Sequence, residues 1–400
     1  MPLPVLAMML CTFCVGTAES VIAGILPNIA GHLGVSLSAV GMLISVYALV
    51  VVIAGPCLTA LTARLPRAVL LPGMMGVFIL GNVIAALAPG FGWLVAGRIV
   101  SALAHSTLIA VFVASARDMA PPHQRAAAGA KVTLGIGLAT VVGVPAGTLV
   151  GDNWGWRATF WALAVLSLLS TLLLVRHNVP EPAPDDNPGV RPQTMDSRRG
   201  FTLPVPMILV ALVIVLGTGG VFALYTYASP YLTHAAGFES STVTVLLWLY
   251  GLGGIAGNLL GARAADRHLP TAVLTTLGAA AAALLLLVLL VDNSWAVAAL
   301  FCVLGAAYFA TIPALNSQIV ASAGPTSAAM ALTVNNSAFC VGIALGSWLG
   351  GAILARGHSV LLVPAGGAAL AAGGLLLSAV TSWLLRTKPA RDEPRIPAAA

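Results

Sequence analysis

The chain has 400 residues, of which 18 are Lys or Arg and 12 are Asp or Glu, so charged residues make up 8% and hydrophobic ones 59%. A soluble protein carries roughly 25% charged residues, and a mean hydropathy of +1.00 leaves too little polar surface to face water. The composition therefore excludes a soluble protein and predicts an integral membrane protein. The net charge of +6 is assigned to membrane topology by where the charges fall, and nucleic acid is not expected as a partner.

The apolar runs are continuous and lack a period of two, which excludes transmembrane strands and points to helices. In chain order the expected spans are 4–26, 38–61, 67–88, 91–115, 126–150, 156–175, 204–228, 242–262, 270–291, 294–321, 328–355 and 359–385. The expected fold is all-α, with twelve transmembrane helices in two six-helix bundles: residues 1–175, a linker at 176–203, residues 204–385 and a tail at 386–400. The first run is too long for a signal-peptide core and lacks a basic n-region, so it is read as a span. With the N-terminus inside, every Lys and Arg except Arg98, Arg157 and Arg356 falls on the cytoplasmic side. This bias predicts cytoplasmic N- and C-termini in a plasma membrane. The linker, with Pro180, Pro182, Pro184, Pro188 and Pro192, reads as a tether.

The two halves repeat. Leu65-Pro66-Arg67-Ala68-Val69-Leu70 after span 2 recurs as Leu269-Pro270-Thr271-Ala272-Val273-Leu274 after span 8. Gly143, Gly147 and Gly151 of span 5 recur as Gly342, Gly346 and Gly350 of span 11. Parallel repeats around a midplane site are a transporter architecture.

An ionisable side chain inside a bilayer is costly and marks function by default. Glu19 is the one acid deep within any expected span. It shares a small, polar face with Thr12, Gly16, Ser20 and Ala23, which is expected to line a cavity. Arg98 forms a stripe on span 4 with Ser101, Ala102 and His105. At about 1.5 Å per residue, Glu19 lies roughly 22 Å from the inner edge and Arg98 roughly 10 Å from the outer one. The two are therefore at similar depth and able to pair. His105 reads as a relay, a substrate contact or a packing residue.

Span 5 carries Gly135, Gly143, Gly147 and Gly151 on one face, with Pro145 among them, a pattern for close helix packing. If that face meets the second bundle, the glycines permit sliding between halves, and Gly342, Gly346 and Gly350 would meet the first half in return. The second half adds Phe222, Tyr225, Tyr308, Asn335, Asn336 and Phe339, which with Asn28 and His105 are expected to border a cavity for a neutral or weakly charged solute. Cys11, Cys14, Cys57, Cys302 and Cys340 lie in apolar runs and read as packing residues, with no metal site expected.

Several motifs resemble the major facilitator superfamily, and within it the twelve-span drug:proton antiporters of the chloramphenicol-resistance and sugar-efflux branch (arabinose efflux permease-like). These are Gly16-Thr17-Ala18-Glu19 with Gly24-Ile25-Leu26-Pro27-Asn28-Ile29-Ala30, Arg98 with Ser101 to His105, and Gly143-Val144-Pro145-Ala146-Gly147 followed by Gly155-Trp156-Arg157. The loop after span 2 departs from the family's Gly-x-x-x-Asp-Arg-x-Gly-Arg pattern. It has Arg64 and Arg67 but no acid, whereas the second copy keeps Asp266-Arg267. The resemblance implies a monomeric, proton-coupled exporter of a small organic compound. A chloramphenicol-like antibiotic leads, and a sugar or endogenous metabolite comes next. It implies Glu19 and Arg98 as the proton-coupling residues, the proton gradient as the energy source and no cofactor. No Gly-x-x-x-x-Gly-Lys-Ser/Thr pattern is present to bind ATP. A membrane-embedded enzyme would need clustered acids or a nucleophile with its base, and a non-transporting sensor is the remaining alternative.

Overall fold

The computed structural model describes residues 2–62, 65–121, 124–177, 204–323 and 328–387. Arg64, nearly all of the linker and most of the tail lie outside the described residues. Eleven helices among them are long and apolar enough to cross a membrane. One, Ser240–Leu289, has 50 residues, or about 75 Å of helix against a hydrocarbon layer of about 30 Å. It is broken at His268, whose φ of −156° and ψ of 92° are not helical, just before Pro270. Proline has no N–H to continue the helical ladder, so this element holds two crossings, which brings the crossings among the described residues to twelve.

Span 1 comprises α1 (Leu3–Ser20) and α2 (Ile22–Leu33), and spans 2, 3 and 4 are α3 (Leu37–Thr62), α4 (Arg67–Leu87) and α5 (Phe91–Asp118). Span 5 is α6 (Arg125–Leu138), a π-helical turn at Ala139–Gly143 and α7 (Val144–Trp154), and span 6 is α8 (Trp156–Arg176). Span 7 is α9 (Val205–Thr226), prolonged by the short α10 (Ala228–Pro230). Spans 8 and 9 are α11 (Ser240–Leu289). Spans 10, 11 and 12 are α12 (Ser294–Ala321), α13 (Ala328–Ala355) and α14 (Leu362–Thr387). The end of the bundle where Leu3 begins is called the near end, and the opposite one the far end.

The π turn has a local cause. Pro145 has no N–H for the carbonyl of Val141, so the ladder is interrupted one turn before it, at Ala139–Gly143. The glycine stripe of span 5 lies against span 1. A Cβ on Gly135 would stand 2.3 Å from the Met9 carbonyl, one on Gly143 1.9 Å from Thr17 Oγ1, and ones on Gly147 and Gly151 2.5 Å from Val21 and Ile25. The repeat does the same in the second half, where Gly342, Gly346 and Gly350 face Thr218, Gly219 and Tyr227 of span 7. Both stripes thus join helices within a bundle, and the expected role of these glycines as a sliding face between halves is corrected. Small residues let two helices approach, and the nearest neighbour in each case belongs to the first span of the same half.

The halves meet through other faces. Span 2 donates to span 11, from Ser38 Oγ to the Gly351 carbonyl at 2.8 Å and from Ser45 Oγ to the Ala344 carbonyl at 3.0 Å. Span 8 meets span 5 at Gly251, where a Cβ would lie 2.7 Å from Val141 Cα. At the far end, the Tyr227 ring is buried beside Gly41 of span 2 and Gly351 of span 11, and its hydroxyl donates to the Ser347 carbonyl at 3.2 Å. These joining contacts lie in the far half and the middle of the molecule.

Candidate functional site

The centre of the molecule is organised by Arg98. Its side chain is 1% exposed, and a buried guanidinium must spend its donors on acceptors. Nη1 donates to the Ala18 carbonyl at 2.6 Å and Nη2 to the Glu19 carbonyl at 3.3 Å. In a regular helix these carbonyls would serve the N–H groups of Ile22 and Ala23. The helix of span 1 is interrupted at Val21, between them, as expected where a side chain enters the i→i−4 ladder. The guanidinium also lies 4.2 Å from the centroid of the Tyr47 ring, a cation–π contact. The Tyr47 hydroxyl and His105 Nδ1 share a hydrogen bond of 3.0 Å.

Glu19 and Arg98 thus sit at the same level, but the guanidinium meets the backbone of span 1. The one ion pair among the described residues is Arg67–Asp118 at 2.6 Å, so the expected Glu19–Arg98 carboxylate pair is replaced by carbonyl contacts. Glu19 itself is half-buried. Its carboxylate lies within electrostatic reach of Tyr47, Arg98 and His105 in the first half and of Tyr308 and Cys340 in the second. It therefore stands where the two bundles face each other.

Beside it is a small space of about 20 Å³, lined by Ser20, Thr140, Phe222, Tyr225, Tyr250, Tyr308 and Phe309. The rings pack on one another. Phe222 lies edge-on to Tyr225 and Tyr308 with centroids 5.5 and 5.7 Å apart. Tyr225 and Tyr250 are tilted at 4.8 Å, and Tyr308 meets Phe309 at 5.2 Å. Of the expected cavity residues, Phe222, Tyr225 and Tyr308 are in this lining.

The others are elsewhere. Asn28 ties span 1 to the far end of span 5, with Nδ2 donating to Asp152 Oδ1 at 2.8 Å and to the Gly151 carbonyl at 3.3 Å. His105 stands behind Tyr47. Asn335 donates to Asn316 Oδ1 at 2.7 Å, Asn336 is exposed, and Phe339 packs into the second half's own core.

Sequence reasoning missed Tyr47, Tyr250 and Phe309, which no charge or motif marks. Their signal is aromatic character on helices that also carry packing glycines, such as Gly253, Gly257 and Gly261 of span 8, which lie against span 10. It also missed that the loop after span 2 finds its acid in space. Arg67 Nη2 donates to Asp118 Oδ2, at the end of span 4. Asp266 and Arg267 are exposed, next to the break at His268. Cys11, Cys14 and Cys340 are buried as packing residues, whereas Cys57 is exposed.

Twelve apolar crossings among the described residues, in two repeated halves with Glu19, Arg98 and a ring cluster where they meet, agree with the family comparison. The model of the Major Facilitator Superfamily matches residues 8–347. The chain belongs to the major facilitator superfamily. Among its relatives, the inner membrane transport protein YdhP of Escherichia coli (strain K12) is 36% identical over 377 residues, covering 94% of each chain. A chloramphenicol resistance protein of Streptomyces lividans is 33% identical over 350 residues, 86% of this chain and 88% of that one. In fold the chain is similar to a bacterial homologue of the human lysosomal transporter Spinster, in an inward-facing, unoccupied conformation. That similarity has a TM-score of 0.69 at 18% identity, over 96% of this chain and 94% of that one. This major facilitator protein is a multi-pass membrane transporter of a small molecule and not an enzyme.

Proposed function

We propose that this major facilitator protein exports a small, partly apolar organic compound, of which a chloramphenicol-like antibiotic is the leading case, in exchange for protons. The observation that carries the reading is Glu19, a carboxylate inside the membrane whose nearest cation, Arg98, is committed to the carbonyls of Ala18 and Glu19. An ionisable side chain inside the membrane marks function by default, and no ion pair among the described residues ties this one up. The adjoining ring cluster marks where an organic compound would meet that carboxylate once the halves move apart. The relation to a chloramphenicol resistance protein supports the drug reading.

In this scheme Glu19 carries the proton, and Arg98 fixes the part of span 1 that holds Glu19. No cofactor takes part, and the proton gradient supplies the energy. The protein works as a monomer in the plasma membrane, with both termini, hence the near end, in the cytoplasm. Proton and compound compete for one state of the carrier, so protonation from outside drives export. A sugar or endogenous metabolite is the second reading within the same fold; the ring-lined cavity favours an aromatic compound over it.

The test is a drug-susceptibility panel in an efflux-deficient host expressing the full chain, followed by transport in everted vesicles. Resistance that disappears with an uncoupler supports the proposal. Export that continues unchanged after the proton gradient has collapsed overturns it.

A further inference from the structure

The Gly155-Trp156-Arg157 motif has no part in the central site and lies at the far end, where α8 begins. There the Arg157 guanidinium joins three places in the first half. It lies 4.3 Å from the centroid of the Trp156 ring. Nη2 donates to the Ala88 carbonyl at 2.6 Å, between α4 and α5. Nη1 meets His32 Nε2 at 2.9 Å, in the last turn of α2. The His32 ring stands edge-on to Trp156, with centroids 6.2 Å apart. One turn earlier on α2, Asn28 holds Asp152 of α7. The far part of span 1 is thus tied by side chains to the end of span 5 and the start of span 6. It also packs against α10 and α11 of the second half.

A guanidinium has donors only and stays charged throughout the physiological range. His32 Nε2 must therefore accept, which requires a neutral imidazole with its proton on Nδ1. An imidazole ordinarily titrates near about pH 6.5. Once Nε2 takes a proton, the pair has two donors and no acceptor, and two cations face each other. Few other groups bear on it. The elements α3, α9 and α10, which pack against α2, contain no Asp, Glu, Lys, Arg or His. At this end α7 contributes Asp152, whose Oδ1 accepts from Asn28, and α8 contributes Arg157 itself. After α10 come His234 and then Glu239, which accepts from Ser241 at 3.4 Å. The helix α11 has no charged residue before Arg263. No ion pair among the described residues holds His32, so no carboxylate keeps the charged ring in place.

We infer that the His32–Arg157 bond is a pH-sensitive latch on the far end of span 1, closed while His32 is neutral and released when acid protonates it. The link is present above the imidazole range and is lost as the pH falls through it. It sets how firmly α2 is held to its own half at the place where it meets the second. With the far end outside, as in the export reading, acid on the side that supplies protons frees the part of span 1 just beyond Glu19. That biological meaning rests on the export reading, whereas the latch itself can be measured without transport.

The experiment measures spin-label distances in the purified full-length protein in lipid nanodiscs, between Gly31→Cys and Gly92→Cys, with Cys57 and Cys302 replaced by alanine. A Cβ meets nothing within 4 Å at either glycine, and the labels report the end of α2 against the start of α5. On acidification from about pH 7.5 to about pH 5.5, the ratio of released to latched populations should rise about 2- to 10-fold, the worth of one hydrogen bond. His32→Gln keeps an acceptor that does not titrate and should hold the high-pH distribution at both values. His32→Ala has no acceptor and should show the low-pH distribution at both. His32 is exposed, and a thermal melt confirms that the variants are folded. Distances independent of pH with His32 present, or the same pH dependence in His32→Gln, overturn the proposal. If the distances follow the expected pattern while vesicle export ignores the proton gradient, the coupling reading fails and the latch stands.

Discussion

Arg98 of span 4 donates to the backbone carbonyl of Ala18 in span 1 at 2.6 Å, one residue before the only acid that the sequence places deep in a span. The strongest cation of the membrane interior is thereby spent on holding a helix break in place. The carboxylate beside it keeps its freedom, and the consequences can be measured.

Glu19→Gln keeps the volume of the side chain and mimics its protonated form. Accumulation of drug in everted vesicles against a gradient should be abolished, while drug binding is retained. Uphill pumping at the wild-type rate with the wild-type pH dependence would assign the proton to another group.

Arg98→Lys retains the charge but not the planar fork that reaches two carbonyls and covers the Tyr47 ring. Lysine is a compact ammonium and does not reproduce a bidentate, stacked guanidinium. The variant should lose about 1–3 kcal/mol of stability, read as a lowered melting temperature in detergent. Its export should fall by about tenfold or more, since a shift of span 1 moves Glu19. A variant with both values unchanged would show that the carbonyl contacts are dispensable.

Gly147→Leu should abolish export from a protein still inserted in the membrane. A Cβ there already stands 2.5 Å from the Val21 side chain, and overpacking costs about 1–3 kcal/mol or more. Gly137→Ala is the control, since a Cβ at that position meets nothing within 4 Å; it should transport normally. Equal activity of the two variants would contradict the packing described for span 5.

Gly41→Val acts between the halves. The added side chain would collide with the Tyr227 hydroxyl, 2.0 Å from the ideal Cβ, where spans 2, 7 and 11 converge. The far end should be held apart and export reduced at least about tenfold. Spin labels on the far ends of spans 2 and 7 should report a longer distance than in wild type. An unchanged distance distribution would show that Tyr227 yields without separating the halves.

Much of this molecule was legible in its sequence. The twelve crossings follow from hydropathy, because transfer of each helix into lipid depends on the composition of that helix alone. Even the fused 50-residue element was divisible in the sequence, since Asp266, Arg267 and His268 lie between two apolar runs and Pro270 opens the second. The costly groups Glu19 and Arg98 were visible for the same local reason, and three of the cavity rings were named from their helices.

What only the tertiary structure decided is which faces meet. A glycine stripe says that a helix is approached closely, not by which neighbour. The stripes on spans 5 and 11 proved to serve spans 1 and 7 of their own halves, with the halves joined through Ser38, Ser45 and Gly251 instead. Arg98 took carbonyls rather than a carboxylate because the neighbouring helix offers backbone acceptors exactly where its ladder opens, and Arg67 found its acid in Asp118, 51 residues away. Tyr47, Tyr250 and Phe309 carry no local mark of function, because an aromatic residue is equally at home in lipid, in a core or around a cavity. Hydropathy is a property of each helix taken singly, whereas a site between helices exists only once their lateral order and rotation are set.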